Sequence, residues 1–343
     1  MSAAARNALP ILISMGDPAG IGPEVILKAA ASWTGKPGAP RLVVVGDLGM
    51  MRAAAQTLKG SVPRPVGWTL GRDIDPRGDT LGVLEASRLG RRSLTPGRPT
   101  VEGARAAYRY IETGARMALA GEAAALVTAP INKEWLNRAG HQFPGHSELL
   151  AEIAKVTRWR MMFAGRRLRL ALVTVHIGLA RVSRALSTRK VLDTIELLAA
   201  HLRTDAAIPN PRLAVLGFNP HAGENGLFGR EEIDVIAPAI EMARKGGIDA
   251  FGPVPPDTAF IRSEGSFAFD AAVAMYHDQG LIAVKTLDFD SAVNVTLGLP
   301  FIRTSPDHGT AYDIAGMGVA RAQSMRAAIA FAAGAVRRRT ARR

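Results

Sequence analysis

Short apolar runs rich in β-branched residues alternate along this chain with longer stretches of helical periodicity. That alternation restricts it to an α/β fold with a largely parallel sheet. The strand candidates are Ile11–Met15, Leu42–Val45, Ala124–Thr128, Leu168–Val175, Arg212–Leu216, Ala271–Tyr276 and Ile282–Val284. Between them lie helical stretches at Pro23–Ala31, Val101–Ala120, Ser147–Lys155, Thr188–Arg203 and Glu231–Lys245. Pro23 suits a first helical position, where its missing N–H is not needed, and Ser147 and Thr188 suit N-caps. The Gly-, Pro- and Arg-rich segment Pro63–Pro99 reads as surface connection. A length of 343 residues exceeds one ordinary core and predicts about two domains. With no linker between them, the chain is expected to pass from one to the other more than once.

No apolar run approaches the roughly 18–20 residues that span a bilayer. Leu9–Met15 runs straight into Gly16-Asp17-Pro18 with no small-residue cleavage site behind it, so it reads as a first strand rather than a signal peptide. A cytoplasmic protein is expected, with no membrane partner. There is no cysteine, which excludes disulfides, thiolate nucleophiles and sulfur-ligated metals. Any metal must therefore use His, Asp or Glu. The net charge of +13 raises the question of nucleic acid. The basic residues are scattered, however, and the densest cluster, Arg337–Arg339 with Arg342 and Arg343, is the tail. No basic stretch is interleaved with aromatics, so attraction of anionic substrates is the preferred reading and no nucleic-acid partner is expected.

Three histidines occupy one kind of position. His176 follows Leu170-Ala-Leu-Val-Thr-Val175, His221 follows Leu213-Ala-Val-Leu-Gly-Phe-Asn-Pro220, and His277 follows Ala271-Ala-Val-Ala-Met-Tyr276. Ligand sites in parallel α/β sheets form outside the carboxyl ends of the strands. Each histidine alone reads as a loop or core residue. Together, with the polar loops Asn219–Glu224 and His277–Gly280, they suit one borderline metal with open positions for substrate oxygens. Lys285, Asn294 and Arg303 follow; two cations and an amide are what a phosphate monoester needs. Their loop, Asn294–Ser305, is too apolar for a mere solvated connection and points to a buried anion site.

The stretch Asp307-His-Gly-Thr-Ala-Tyr-Asp-Ile-Ala-Gly316 is similar to the adenosine-binding loop of the isopropylmalate and isocitrate dehydrogenases. His308, Gly309 and Thr310 would form its core and Asp313 would meet the ribose. A carboxylate there accepts from ribose hydroxyls and repels a 2′-phosphate, which favours NAD over NADP. No Gly-x-Gly-x-x-Gly follows a strand, and Gly20-Ile-Gly22-Pro23-Glu24 lacks the Lys-Ser/Thr of a P-loop, so ATP-dependent chemistry is not expected.

Five motifs carry a wider resemblance: Gly16–Pro23, Phe143-Pro-Gly-His-Ser147, Asn219–Glu224, Met275–Gly280 and Asn294–Gly316. In order and context, over about residues 11–320, the chain resembles the 4-hydroxythreonine-4-phosphate dehydrogenase family of pyridoxal phosphate biosynthesis. The resemblance implies two α/β/α domains of the isocitrate/isopropylmalate dehydrogenase-like type, with the active site in the cleft and at the interface of a homodimer. It sets residues 1–135 with 310–343 in the first domain and 136–309 in the second. His176, His221 and His277 would be metal ligands drawn from both subunits, with zinc first and magnesium, cobalt or manganese as alternatives. Lys285, Asn294 and Arg303 would hold the substrate phosphate, and His146 and Ser147 the amino-acid end. The family commonly has Thr where Ser147 stands. The loop Gly223-Glu-Asn-Gly-Leu-Phe-Gly229, with Pro255-Pro-Asp257, looks nearer the branch acting on 4-phospho-D-threonate or 4-phospho-D-erythronate.

The activity so implied is NAD-dependent oxidation of a small 4-phosphorylated 3-hydroxy acid, 4-hydroxythreonine 4-phosphate first, followed by decarboxylation. Asp257 and Asp278 are the carboxylates available as general base, and a metal would act as Lewis acid. The rival from another class is a metal-dependent phosphoester hydrolase, which would have no use for the Asp307–Gly316 loop.

Overall fold

The computed structural model describes residues 9–36, 38–71, 79–90, 95–262 and 265–342. In chain order the strands are β1 (Ile11–Ser14), β2 (Leu42–Gly46), β3 (Arg64–Gly67), β4 (Thr80–Glu85), β5 (Ala125–Thr128) and β6 (Arg160–Ala164). They continue with β7 (Arg169–Leu172), β8 (Leu213–Leu216), β9 (Ala250–Val254), β10 (Ala271–Ala274), β11 (Val293–Leu297) and β12 (Ile302–Pro306). The helices used below are α1 (Gly22–Ala30), α2 (Leu48–Thr57), α3 (Val101–Leu119), α4 (Lys133–Arg138) and α5 (His146–Ile153). They continue with α6 (Thr188–Asp205), α7 (Ala237–Lys245), α8 (His277–Asp288) and α9 (Gln323–Ala341). No helix of the described residues is long and apolar enough to cross a membrane.

The chain divides into two compact units, residues 1–157 with 299–343 and residues 158–298. In the first, the strand order is β3-β4-β2-β1-β5-β12, and the neighbouring strands run parallel. A parallel sheet is covered on both faces, which is why Ile11-Leu-Ile-Ser14 and Leu42-Val-Val-Val-Gly46 are buried at every residue. α3 shows how sequence sets a helix. The Thr100 side chain caps it by accepting from Gly103 N, and Glu102 and Arg116 match the dipole at its two ends. Ala104, Ala107, Ile111, Ala115 and Ala118, three or four residues apart, form its buried stripe.

In the second unit the order is β11-β6-β7-β10-β8-β9. β6 runs antiparallel to β7 and to β11, while β7, β10, β8 and β9 are parallel to one another. Its core gathers Met161, Phe163, Leu170, Leu172, Leu216, Leu281 and Val284. The pairings of β6 make the sheet mixed here, while the other pairings described are parallel, in keeping with the largely parallel sheet expected.

Other expectations change as well. Ile282–Val284 is not a strand but lies inside α8, whose buried residues Gly280, Leu281, Val284 and Asp288 follow a helical period. Pro63–Pro99 is more than connection, since β3 and β4 form the edge of the first unit's sheet; residues 72–78 and 91–94 of that segment lie outside the described residues. Pro65 is tolerated in β3 because an edge strand has one unpaired side. The caps shift by one or two residues: Gly145 precedes α5, and Ser187, not Thr188, caps α6 by accepting from Lys190 N. Glu231–Lys245 splits into a π turn at Glu232–Ile236 and α7, next to Pro238, which has no N–H for the helical ladder. Residues 136–157 and 299–309 belong to the first unit, because α5 packs on α3 and β12 pairs with β5.

α1 is pressed against the end of β1. A Cβ at Gly22 would run into the Met15 carbonyl oxygen, a backbone atom that cannot swing aside. We expect Gly22→Ala to cost about 1–3 kcal/mol, as overpacking does, and to shift the urea-unfolding midpoint accordingly. A midpoint equal to that of the parent protein would show that the contact relaxes freely.

Candidate functional site

In the second unit, β7, β10 and β8 are adjacent and parallel, so their carboxyl ends share one edge. That edge carries His176, His277 and His221, as the sequence predicts. The His176 and His277 rings are 5.9 Å apart. The Thr174 hydroxyl donates to the Met275 carbonyl at 2.7 Å and ties the two strand ends together. Gln279 makes a second tie. Its Nε2 donates to Gly217 O at 2.7 Å and its Oε1 accepts from Met275 N at 2.7 Å, linking the ends of β8 and β10. Asp278 Oδ1 lies 2.7 Å from His277 Nδ1, a contact that restrains the ring. Asp257 is exposed in the turn after β9.

His221 stands on an unusual backbone. His221, Ala222, Gly223, Glu224 and Asn225 all have left-handed φ and ψ, with φ of 50°, 53°, 84°, 42° and 55°. A left-handed run costs roughly 1–2 kcal/mol for each residue with a Cβ, so this turn is held in place from outside. Its ring faces Phe228 at 6.2 Å between centroids. Among the described residues, no three His, Asp or Glu side chains gather closely enough to hold a metal. His176 and His277 fit a shared divalent cation: with metal–nitrogen bonds of about 2 Å, two imidazoles on one ion have centroids roughly 5–6 Å apart.

The first unit carries a second constellation. Arg303, on β12, is fully buried, and its guanidinium donates to the Thr128 hydroxyl on β5 at 2.7 Å. Burial lowers its pKa to about 9, and the Glu148 carboxylate partly offsets that. A guanidinium kept from water in this way favours an anion as company. His146 opens α5 beside it. Burial pushes its pKa well below 6.5, and the charges of Arg303 and Lys133 push it further. Its Nε2 is buried without a hydrogen-bond partner. Ser147 is buried in the same turn. The expected phosphate trio is thus divided, with Arg303 in the first unit, and Lys285, exposed on α8, and Asn294, on β11, in the second. Asn294–Ser305, expected as an apolar loop, forms β11 and β12 instead.

The Asp307–Gly316 loop packs on the glycine-rich loop after β1. Ile21 N donates to Thr310 O at 3.0 Å, and Tyr312 Oη donates to Asp17 Oδ2 at 2.6 Å. Glu24 accepts from Gly318 N and Ala320 N, and Lys28 donates to the carbonyls of the same two residues. Thr310 is buried by this docking, whereas Gly309 and Asp313 remain exposed and a Cβ at Gly309 would meet open space. The loop thus offers a fixed base with an open, carboxylate-bearing edge, which suits a ribose.

Comparison with known proteins then decides the family. The family described as pyridoxal phosphate biosynthetic protein PdxA matches residues 39–332. The chain belongs to it. It is 50% identical over 324 residues, 94% of each chain, to the 4-hydroxythreonine-4-phosphate dehydrogenase of Geobacter metallireducens. It is 44% identical over 335 residues, 94% of this chain and 95% of the other, to a Bradyrhizobium diazoefficiens protein provisionally named D-threonate 4-phosphate dehydrogenase. The crystal structure of 4-hydroxythreonine-4-phosphate dehydrogenase from Klebsiella pneumoniae superposes with a TM-score of 0.81 at 41% identity, covering 96% of this chain and 99% of that one. The family is one of dehydrogenases, which favours oxidation over the phosphoester-hydrolase alternative.

Sequence reading missed Glu232, Gln279, Thr128 and the Asp17–Tyr312 pair. Gln279 and Asp17 sit inside motifs that were singled out, but their partners are 62 and 295 residues away in the chain. Only the fold reveals those partners.

The His146 shift has a signed consequence. Its native pKa lies below the unfolded value of 6.5, so the unfolded chain binds more protons between the two. This contribution to stability is present above pH 6.5 and falls as the pH drops below it, by up to about 1.4 kcal/mol per pH unit. We expect urea titrations of His146→Gln to show a shallower loss of stability between pH 6.5 and 5 than the parent protein. Equal slopes would mean that His146 protonates as freely folded as unfolded.

Proposed function

We propose that this protein is an NAD-dependent, divalent-metal-dependent dehydrogenase of a small 4-phosphorylated 3-hydroxy acid, with 4-hydroxythreonine 4-phosphate as the first substrate. The carrying observation is that His176, His221 and His277 follow three adjacent parallel strands in a chain half identical to a dehydrogenase of that name. A second reading, oxidation of 4-phospho-D-threonate or 4-phospho-D-erythronate, is favoured by the Bradyrhizobium relative and by the Asn225-Gly-Leu-Phe228 loop.

His176, His221 and His277 would hold the cation, with Asp278 orienting His277. When bound, a cation there would supply Lewis acidity, and NAD would supply the hydride acceptor. The phosphate, remote from the reacting carbon, would fall to Arg303 in the first unit, with Lys285 and Asn294 as the second unit's own candidates. His146, kept neutral by burial, meets the amino-acid end with Ser147 as a hydrogen-bonding group rather than a cation. Asp257 and Asp278, both exposed, are the carboxylates available to take the hydroxyl proton. Asp313 accepts from the ribose hydroxyls, which selects NAD over NADP. The 3-oxo acid formed by oxidation is one that loses CO₂ readily, so decarboxylation completes the reaction.

The isocitrate/isopropylmalate dehydrogenase-like arrangement, with a cleft completed by a second copy, belongs to the same proposal, as does a cytoplasmic location. Its support is a group of exposed apolar side chains, Ile177, Leu179, Leu227, Phe228 and Ile233, flanking His176 and His221. A homodimer covering that surface would draw histidines from both copies into one site.

Incubation with a panel of phosphorylated hydroxy acids should produce NADH, faster than NADPH from NADP, and a chelator should abolish turnover. Undiminished activity in a metal-free preparation would refute the metal. Arg303→Ala should lower kcat/KM by on the order of 2–4 kcal/mol and discriminate less against the dephosphorylated substrate, while keeping its metal. Unchanged selectivity for the phosphate ester would place the anion pocket elsewhere.

A further inference from the structure

The left-handed turn that presents His221 has only two residues, Gly223 and Asn225, whose types tolerate such a backbone. Four of its five residues carry a Cβ, so its conformation is imposed by its surroundings. The contacts identify Glu232 as the group that imposes it. This carboxylate is buried on the π turn at Glu232–Ile236. Its Oε1 accepts from Phe218 N and Asn219 N, each at 2.7 Å, at the entrance to the turn. Its Oε2 accepts from Asn219 Nδ2 at 2.9 Å, and the same amide donates to Glu231 Oε2 at 2.8 Å. A Cβ at Gly223 would lie 2.7 Å from Glu232 Oε2, so the carboxylate rests directly on the turn's middle residue.

We propose that Glu232 is a positioning residue that acts through His221, holding the left-handed turn so that its imidazole faces the cation. This rests on the reading of His221 as a ligand. The arrangement suits the task, because a buried carboxylate receiving three N–H donors is fixed in direction and cannot rearrange cheaply. The π turn is equally apt, since an inserted residue in a helix commonly marks a functional position. No part of the proposal requires Glu232 to touch substrate, cofactor or metal.

The experiment measures cation affinity of the full chain, using Zn²⁺ competition against a chromophoric chelator and the absorption spectrum of bound Co²⁺. The proteins are the parent, His221→Ala, Glu232→Gln, the double variant and Gly223→Ala, with circular dichroism as the folding check. Removing a group that orients a metal ligand typically weakens affinity about 10–100-fold, and that loss is expected for Glu232→Gln, with an altered Co²⁺ spectrum. The double variant should bind no more weakly than His221→Ala alone, since Glu232 then has no ligand to position. Should Glu232→Gln fail to fold, Gly223→Ala pushes the turn off the same carboxylate and carries the same expectation. Parent-like affinity in both Glu232→Gln and Gly223→Ala, beside a loss in His221→Ala, would overturn the proposal; so would losses that add in the double variant. Unchanged affinity in His221→Ala would instead overturn the ligand reading on which it rests.

Discussion

A run of parallel strands must leave the sheet at the same edge every time, and the chemistry of this protein follows from that constraint. β7, β10 and β8 lie side by side and end together, so three loops far apart in sequence are delivered to one place. The polar ties across that edge, Thr174 to Met275 and Gln279 to both Gly217 and Met275, keep the strand ends in register. Backbone carbonyls at a sheet edge have lost their ladder partners, and each one taken up by a side chain removes a desolvation cost while fixing a loop.

Electrostatics divides the work between the two units. The second brings imidazoles to the loops that follow three adjacent parallel strands. The first buries a guanidinium, that of Arg303, with the Glu148 carboxylate acting on it. Burial, with the positive charge of Arg303 added to it, keeps His146 neutral.

The legible part of the fold was its periodicity. The fully buried runs at β1, β2 and β5 and the stripe of α3 carry strong, local signals, and the histidines at the ends of three such runs could be read directly. What escaped was decided by distant partners. Ile282–Val284 has a strand's composition but belongs to a helix, because His277 starts α8 immediately after β10 and the core takes up Leu281 and Val284 at helical spacing. β3 contains a proline that argues against a strand everywhere except at an edge. β11 and β12 lay hidden in an apolar stretch whose interruption at Gly298 and Pro300 resembled a loop. Glu232 gave no local sign at all, since a carboxylate in a helical stretch normally faces water.

The first unit is assembled from two separated stretches of chain. β12 pairs with β5, and α9 packs on β12, so residues 299–343 supply both the last strand of that sheet and a helix that covers it. During synthesis the ribosome delivers residues 158–298 in full before it delivers those elements. The inserted unit therefore has all its strands available while the sheet that began earlier still waits with β5 as a bare edge. An unpaired parallel edge is sticky to other chains, so the interval between the emergence of Thr128 and of Ile302 is the period in which a newborn copy is most exposed to misassociation.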